Sequence, residues 1–268
     1  MVGTATSPSV ARPGLPPGLT KAVLAVEVCL VLALSLGRSG VYALVDLIAS
    51  ATSPGRLGSQ TALLNGSLSP GRPWIDFTLQ VLGLAFGVVP VLLVAYLLRR
   101  SAESLRTVGL DGTQPVRDGA RGAVIAAVIG GAGLGFYLLT YALGVDLTVV
   151  VENLPPVWWK FPVLVASAAQ NALLEEVVVA GYLLHRLAQA GWSPRRALLL
   201  SAVVRGSYHL YQGLGGFAGN VVMGLVFGWL YQRWGRVTPL VVAHTLMDGV
   251  AFVGYALLAG HVGWLPTP

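Results

Sequence analysis

The sequence predicts an all-α membrane protein, a polytopic helix bundle of about seven transmembrane helices. Hydrophobic residues make up 55% of the 268 residues and charged residues only 10%, whereas about a quarter of the residues in soluble domains are charged. The mean hydropathy is correspondingly positive, at +0.73. The composition therefore excludes an ordinary soluble domain. The single cysteine, Cys29, allows no intrachain disulfide and no thiolate metal cluster.

The amino-terminal part of the chain divides into a polar tail, an apolar run and a loop. Residues 1–20 are rich in Pro, Gly, Ser and Thr, which predicts a disordered cytoplasmic tail. The apolar run 21–51 is interrupted at Gly37–Gly40; it is either one long helix or a span followed by an interfacial segment. Turn signals in residues 52–74 predict a loop.

Six further apolar stretches are predicted to cross the membrane, since a bilayer core needs about 20 helical residues. They are Phe77–Leu98, Gly122–Leu143, Phe161–Leu187, Ala197–Tyr211, Phe217–Tyr231 and Val237–Leu258. Glycines recur at helix-packing intervals, as in Gly224 with Gly228 and in the cluster Gly130–Gly133. Small residues allow close helix approach, so these glycines are predicted to pack helices and not to act in catalysis.

The basic residues predict the orientation of the bundle. With the amino terminus in the cytoplasm, twelve Lys and Arg residues fall inside and one, Arg205, within a span. The four that fall outside are Arg38, Arg56, Arg72 and Lys160. This bias predicts a multi-pass protein of the cell membrane with a cytoplasmic amino terminus and the lipid bilayer as its first partner. Loop charges also account for the net charge of +6, so no nucleic-acid partner is predicted.

Two adjacent carboxylates, Glu175 and Glu176, lie inside the predicted span Phe161–Leu187. An acidic residue at the centre of a spanning helix costs roughly 2.5 to 3.5 kcal/mol, and such residues are rare unless they line a cavity or meet a partner. Because adjacent helical residues diverge by about 100°, one carboxylate can point into a site while the other supports it. The pair therefore predicts a functional site within the membrane.

Four more polar residues lie at membrane depth in later spans. They are Arg205, His209, His244 and Asp248. Arg205 and His209 are four residues apart, as are His244 and Asp248, so each pair shares one helix face. We expect all six polar side chains to converge on one polar interior.

The chemistry available to these groups is water activation. A carboxylate with an imidazole can deprotonate water as general base, while a second imidazole stabilises an oxyanion. The same groups can ligate zinc, with Glu175, His209 and His244 as the candidate ligands. The chain lacks a His-Glu-x-x-His helix and a glycine-rich phosphate loop. It is therefore predicted to be neither a zinc protease of the common His-Glu-x-x-His class nor an ATP-driven pump. No nucleotide or organic cofactor is expected.

Three short motifs resemble, in the same order along the chain, those of the CPBP intramembrane metalloproteases. They are Glu175-Glu176, His209 and His244-x-x-x-Asp248. That family includes the CAAX prenyl endopeptidases and bacteriocin-immunity relatives, and its pattern is Glu-Glu-x-x-x-Arg, Phe-x-x-x-His and His-x-x-x-Asn/Asp. The resemblance implies that 21–150 holds amino-terminal transmembrane helices and 151–268 the catalytic transmembrane region. It further implies that Glu175, beside Glu176, and His209 activate water and that His244 and Asp248 stabilise the oxyanion.

Two positions depart from the family pattern and suggest a divergent subgroup. Ala180 stands where the family has Arg, and Arg205 stands where it has Phe. One Arg is lost and one is gained. We hypothesise that Arg205 supplies, from the neighbouring span, the countercharge for Glu176 or Glu175 that the family Arg would provide.

The resemblance implies an intramembrane endopeptidase that acts on a membrane-associated protein or peptide, and the Ala-, Gly- and Arg-rich composition is typical of a GC-rich bacterial genome. Two alternatives from other classes remain open. The first is a non-catalytic immunity or scaffold protein that binds a peptide, which the departures at Ala180 and Arg205 favour. The second is a proton-coupled transporter, against which the lack of an inverted repeat counts.

Overall fold

The structure is a computed structural model that describes residues 14–55, 57–144, 146–263 and 265. The α-helices are α1 (Lys21–Ala33), α2 (Leu36–Thr52), α3 (Pro73–Arg100), α4 (Pro115–Ala142), α5 (Lys160–Glu175), α6 (Leu184–Gln189), α7 (Pro194–Ser207), α8 (Leu214–Trp234) and α9 (Thr238–Leu258). A π-helical segment, Glu176–Leu183, joins α5 to α6. Short 3-10 turns occupy Leu57–Ser59, Leu105–Val108 and Leu210–Gln212, and two strands are β1 (Thr61–Asn65) and β2 (Thr148–Glu152). Most of the predicted disordered tail, residues 1–13, lies outside the described residues.

The helices confirm an all-α polytopic bundle. Within the residues that the structure describes, five continuous helical stretches are long and apolar enough to cross a membrane: α3, α4, α5 through α6, α8 and α9. The bent pair α1 and α2 brings the number to as many as six. The fifth predicted crossing, Ala197–Tyr211, corresponds to α7, which has 14 residues and ends at Ser207. At 1.5 Å per residue α7 is about 21 Å long, shorter than the roughly 30 Å bilayer core.

The first apolar run forms two helices that meet at a bend of 53°. The hydroxyl of Ser35, at the break, donates a hydrogen bond of 2.6 Å to the carbonyl of Val31. A Cβ atom at Gly40 would lie 2.7 Å from Ser207 Oγ, so the glycine lets α2 approach the end of α7 closely. The bend therefore brings the beginning of α2 against the polar spans.

The loops at one end of the bundle carry a small sheet that the sequence does not predict. β1 pairs with β2 in parallel, from Thr61 opposite Thr148 to Asn65 opposite Glu152. The predicted loop 52–74 thus contains a strand, because its backbone finds a partner that is more than 80 residues away along the chain. The sheet lies outside the helices, and the all-α class is unchanged.

At the other end, Arg236 joins two loops. Its guanidinium lies 2.8 Å from Asp111 Oδ1 and 2.6 Å from Asp118 Oδ2. Hydrogen bonds from Arg236 hold the pKa of Asp111 well below its usual value. The connection between α3 and α4 is thereby attached to the turn between α8 and α9.

Small residues set the helix spacing in part of the core. A Cβ atom at Gly224 would lie 2.9 Å from the Cα of Ala202, so this glycine permits the close contact of α7 with α8. Gly130 likewise faces a side chain of α9. The predicted packing role is wrong for Gly131 and Gly133, because a Cβ at either position would meet nothing within 4 Å.

A buried ion network ties the α3–α4 connection to α6. The two oxygens of Glu103 lie 2.6 Å from His185 Nε2 and 2.7 Å from Arg186 Nη1. Gln189 donates a further hydrogen bond of 2.8 Å to Glu103. Burial alone would raise the pKa of Glu103, but the hydrogen bonds and positive charge of His185 and Arg186 outweigh it and hold the pKa below 4.5.

This network predicts a pH-dependent contribution to stability. A carboxyl whose pKa is lower in the folded than in the unfolded protein stabilises the fold above the unfolded pKa, and the contribution is lost as the pH falls through the folded pKa. We expect Glu103→Gln to lower the melting temperature in detergent at pH 7, and this difference from wild type should shrink as the pH drops below about 4. A difference that stays constant from pH 7 to pH 3 would contradict the assignment.

Candidate functional site

The site lies where α5, the π-helical segment, α7 and α9 meet. All eight residues of the π-helical segment are buried. Its wider turns leave the carbonyl of Val179 to accept a hydrogen bond of 3.1 Å from Ser201 Oγ on α7. π-helical turns are rare in proteins, but those that occur are often found at functional sites. The sequence predicts only a regular helix here, because no local pattern distinguishes the two.

Glu176 is the fully buried acid of the pair, with 0% exposure. Its Oε1 lies 2.5 Å from Arg205 Nη2 and 2.8 Å from His244 Nδ1. Arg205 is itself only 1% exposed. The effective penalty for burying an ion is several kcal/mol, which an oppositely charged partner with good geometry can offset. The side chain of Glu176 is therefore held by groups from α7 and α9.

Arg205 occupies the position that the sequence suggests for a countercharge. Its second terminal nitrogen, Nη1, lies 3.6 Å from Glu175 Oε2, so the guanidinium faces both carboxylates. Its Cζ atom is 5.4 Å from the ring centre of Phe227 on α8. Ala180, where the family has Arg, is buried in the π-helical segment. The ion pairs are present in the structure, whereas their contribution to function stays a prediction.

Glu175 has different surroundings from its neighbour. It is 8% exposed, and its Oε2 accepts a hydrogen bond of 3.0 Å from the hydroxyl of Tyr208. It also lies within electrostatic range of His209 and His244. The two adjacent glutamates thus differ in their partners: Glu176 contacts both Arg205 and His244, whereas Glu175 accepts from Tyr208 and lies farther from Arg205.

Sequence reasoning missed Tyr208. The only local signal is that Tyr208 directly precedes His209, one of the predicted site residues. Its ring centre lies 4.7 Å from that of His209. Tyr208 thus contacts both an acid and an imidazole of the site.

His209 lies just beyond the end of α7. Its Nδ1 is 3.1 Å from the backbone carbonyl oxygen of Arg205. A carbonyl oxygen can only accept, so Nδ1 carries the hydrogen and the lone pair of a neutral ring resides on Nε2. His209 therefore has a basic nitrogen that its backbone contact does not occupy.

His244 and Asp248 lie one turn apart on α9, as the sequence predicts. His244 Nε2 is 3.5 Å from Asp248 Oδ1, which is ion-pair distance but long for a hydrogen bond. Both ring nitrogens of His244 face carboxylate oxygens, those of Glu176 and Asp248. A doubly protonated ring satisfies both contacts. The negative charge of Asp248 is accordingly offset by His244.

A cavity of about 390 Å³ lies against Tyr208. Leu174, Tyr208 and Tyr211 line one part of it, and residues of α2, the bend before α2 and α3 line the rest. A bound molecule in this cavity would therefore lie against the tyrosine that donates to Glu175.

The candidate zinc ligands are not assembled as a metal centre in the described residues. Within the part of the chain that the structure describes, no three His, Cys, Asp or Glu side chains are grouped to hold a metal ion. His244, one candidate ligand, has both ring nitrogens directed at carboxylates, so neither is free for a metal in this arrangement. Zinc binding by Glu175, His209 and His244 stays a prediction from the sequence.

Fold and site together define a polytopic helical membrane protein with a buried glutamate–histidine centre. Residues 157–250 match the family model described as type II CAAX prenyl endopeptidase Rce1-like, which confirms the resemblance seen in the three motifs. The matched region extends from just before α5 into α9 and includes all six predicted site residues. Comparison with curated proteins and with solved structures gives no match.

Proposed function

We propose that the protein is an intramembrane endopeptidase that hydrolyses a peptide bond of a membrane-associated protein or peptide. The observation that carries this proposal is the separation of the two glutamates. Glu176 is fully buried and paired with Arg205 and His244, whereas Glu175 is bonded by Tyr208 beside the cavity. The family match to CAAX prenyl endopeptidases supports the same reaction class.

Glu175 and His209 are proposed to hold the attacking water. The carboxylate of Glu175 accepts one hydrogen of the water and Nε2 of His209 accepts the other. The water oxygen attacks the scissile carbonyl carbon as Glu175 takes up its proton, which is the role of a general base. Glu175 then delivers this proton to the nitrogen of the leaving amine as the carbon–nitrogen bond breaks.

Positive charge near the site is proposed to stabilise the oxyanion that forms on the carbonyl oxygen. His244, positioned by Glu176 and Asp248, and the guanidinium of Arg205 are the cations available for this purpose. Preorganised charges in a site that excludes water contribute more than they do in water. By the distribution of loop charges, the amino terminus is proposed to be cytoplasmic and the protein to reside in the cell membrane.

A comparison of terminal peptides tests the proposal. Membrane and secreted proteins from cells that express the wild-type chain or Glu175→Gln at equal abundance are surveyed for new protein ends. Ends that are present with wild type and absent with Glu175→Gln establish proteolysis and identify the substrate. Identical ends under several growth conditions would contradict the proposal and favour a peptide-binding immunity or scaffold role.

Tyr208 is expected to act as a positioning residue for Glu175. Hydrogen bonds to charged groups contribute about 1.5–3 kcal/mol, so Tyr208→Phe should lower kcat/KM by about tenfold or more on the substrate identified above. The acid limb of the pH–rate profile should also move, because the hydroxyl stabilises the charged form of Glu175. Tyr211→Phe is the matched control, since the Tyr211 hydroxyl accepts from Gln212. Equal effects of the two substitutions would contradict the assignment.

A further inference from the structure

Helix α2 turns a polar face to the cavity. The residues of α2 and the preceding bend that line it are Leu34, Ser35, Arg38, Ser39, Tyr42, Ala43 and Asp46, and from Ser35 onward they recur at helical spacing. The apolar side chains on the rest of α2 are exposed on the outside of the bundle and include Val41, Leu44, Val45 and Ile48. Such a helix is amphipathic, with one face toward the cavity and an apolar face on the outside of the bundle.

Arg38 and Asp46 are the two charges on this face. Arg38 is one of the four basic residues that the charge distribution predicts to lie outside the membrane. It lies in α2, next to the bend, and packs over the ring of Tyr42, with Cζ 5.4 Å from the ring centre. Within the described residues neither charge has an oppositely charged partner. Eight residues of helix separate them by about 12 Å, so they do not neutralise each other. Because neither charge is paired within the described residues, both are available to contact a molecule bound in the cavity.

The opposite walls of the cavity connect this face to the proposed catalytic groups. Phe86 and Pro90 of α3 contribute apolar surface, and Tyr208 and Tyr211 contribute aromatic surface. The hydroxyl of Tyr208 is bonded to Glu175. A chain segment bound in this cavity along α2 would therefore share the cavity with Tyr208, which contacts Glu175.

We propose that this cavity binds an extended segment of the substrate that carries a carboxylate opposite Arg38 and a basic side chain opposite Asp46, about four residues apart. The inference rests on the proposed protease function and names the substrate class. An extended chain rises about 3.3 Å per residue, so four residues match the roughly 12 Å between the two charges on α2. Charge-assisted hydrogen bonds to Arg and Asp give such a segment both affinity and a fixed direction.

Binding is measured on Glu175→Gln in lipid nanodiscs, so that no cleavage is needed. Three fluorescent peptides with acetylated and amidated ends are compared by anisotropy: Glu-Ala-Leu-Ala-Lys, Lys-Ala-Leu-Ala-Glu and the neutral Gln-Ala-Leu-Ala-Gln. We expect one of the two charged orders to bind about tenfold tighter than the neutral peptide. Adding Arg38→Gln should remove this preference, whereas adding Arg72→Gln, at the beginning of α3 and away from the cavity, should preserve it.

A charge reversal gives the sharper result. Arg38→Glu combined with Asp46→Lys should reverse the order of the peptide that binds tighter, which a merely structural role of the two residues would not produce. Equal binding of all three peptides, or an unchanged order of preference in the reversed variant, would overturn the inference. Because the readout is binding, directional binding together with an unchanged set of protein ends would disprove the protease and retain the peptide site.

Discussion

Replacing Arg205 with methionine is expected to lower the free energy of unfolding by about 3 kcal/mol, because removing one partner leaves a buried charge without compensation. Glu176 is 0% exposed, and after the substitution only His244 remains to pair with it. Unfolding is measured in detergent micelles by a denaturant titration. Arg195→Met, on an exposed residue at the beginning of α7, is the matched control and should leave stability unchanged.

A second substitution assigns the loss to the ion pair. Combining Arg205→Met with Glu176→Gln removes both charges, so most of the stability lost in Arg205→Met should return. If the stability lost in the double variant equals the sum of the losses in Arg205→Met and in Glu176→Gln alone, the two residues are not coupled. An effect of Arg205→Met equal to that of Arg195→Met would contradict the buried pair itself.

The family pattern supplies a functional version of this test. Arg205→Phe alone should abolish function, whereas Arg205→Phe with Ala180→Arg should retain it, because Ala180 lies four residues after Glu176 in the π-helical segment. The measurement is the appearance of the wild-type set of protein ends. If the wild-type protein ends are lost equally in the single and the double variant, Arg205 does not replace the family Arg as the countercharge of the glutamates.

Glu175→Gln is expected to lower kcat/KM for the substrate by about 10² to 10⁴-fold, the range contributed by a general base. His209→Gln should cause a loss of similar size, since the two groups hold the same water in the proposed mechanism. Residues that act as a unit have non-additive effects, so the double variant should lose little more than either single one. His261→Gln, on an exposed histidine of the tail, is the control for His209. Full additivity would contradict a shared role.

Treatment with a chelator separates this mechanism from the zinc prediction. The route through Glu175 and His209 needs no metal, so kcat/KM should be unchanged after incubation with 1,10-phenanthroline. Loss of activity that zinc restores would instead support a metal held by Glu175, His209 and His244.

Much of the architecture follows from the sequence. Apolar stretches of about 20 residues mark spans because the bilayer sets their length, and most of the predicted helices are present with ends that differ by a few residues. The exceptions depend on distant contacts. The loop 52–74 contains β1 because β2 is available to pair with it, and α7 ends at Ser207, before the 3-10 turn Leu210–Gln212.

The sequence by itself determined which residues are candidates for the site, because a charge within a span is costly enough to be meaningful wherever it occurs. Only the tertiary structure decided how they are divided. It placed Arg205 and His244 on Glu176 and Tyr208 on Glu175, and it turned the polar face of α2 toward the same cavity. The physical reason is that helical periodicity specifies which residues share a face within one span, whereas partners across spans depend on the packing of whole helices. That packing here includes a bend after α1 and a π-helical segment that no local pattern predicts.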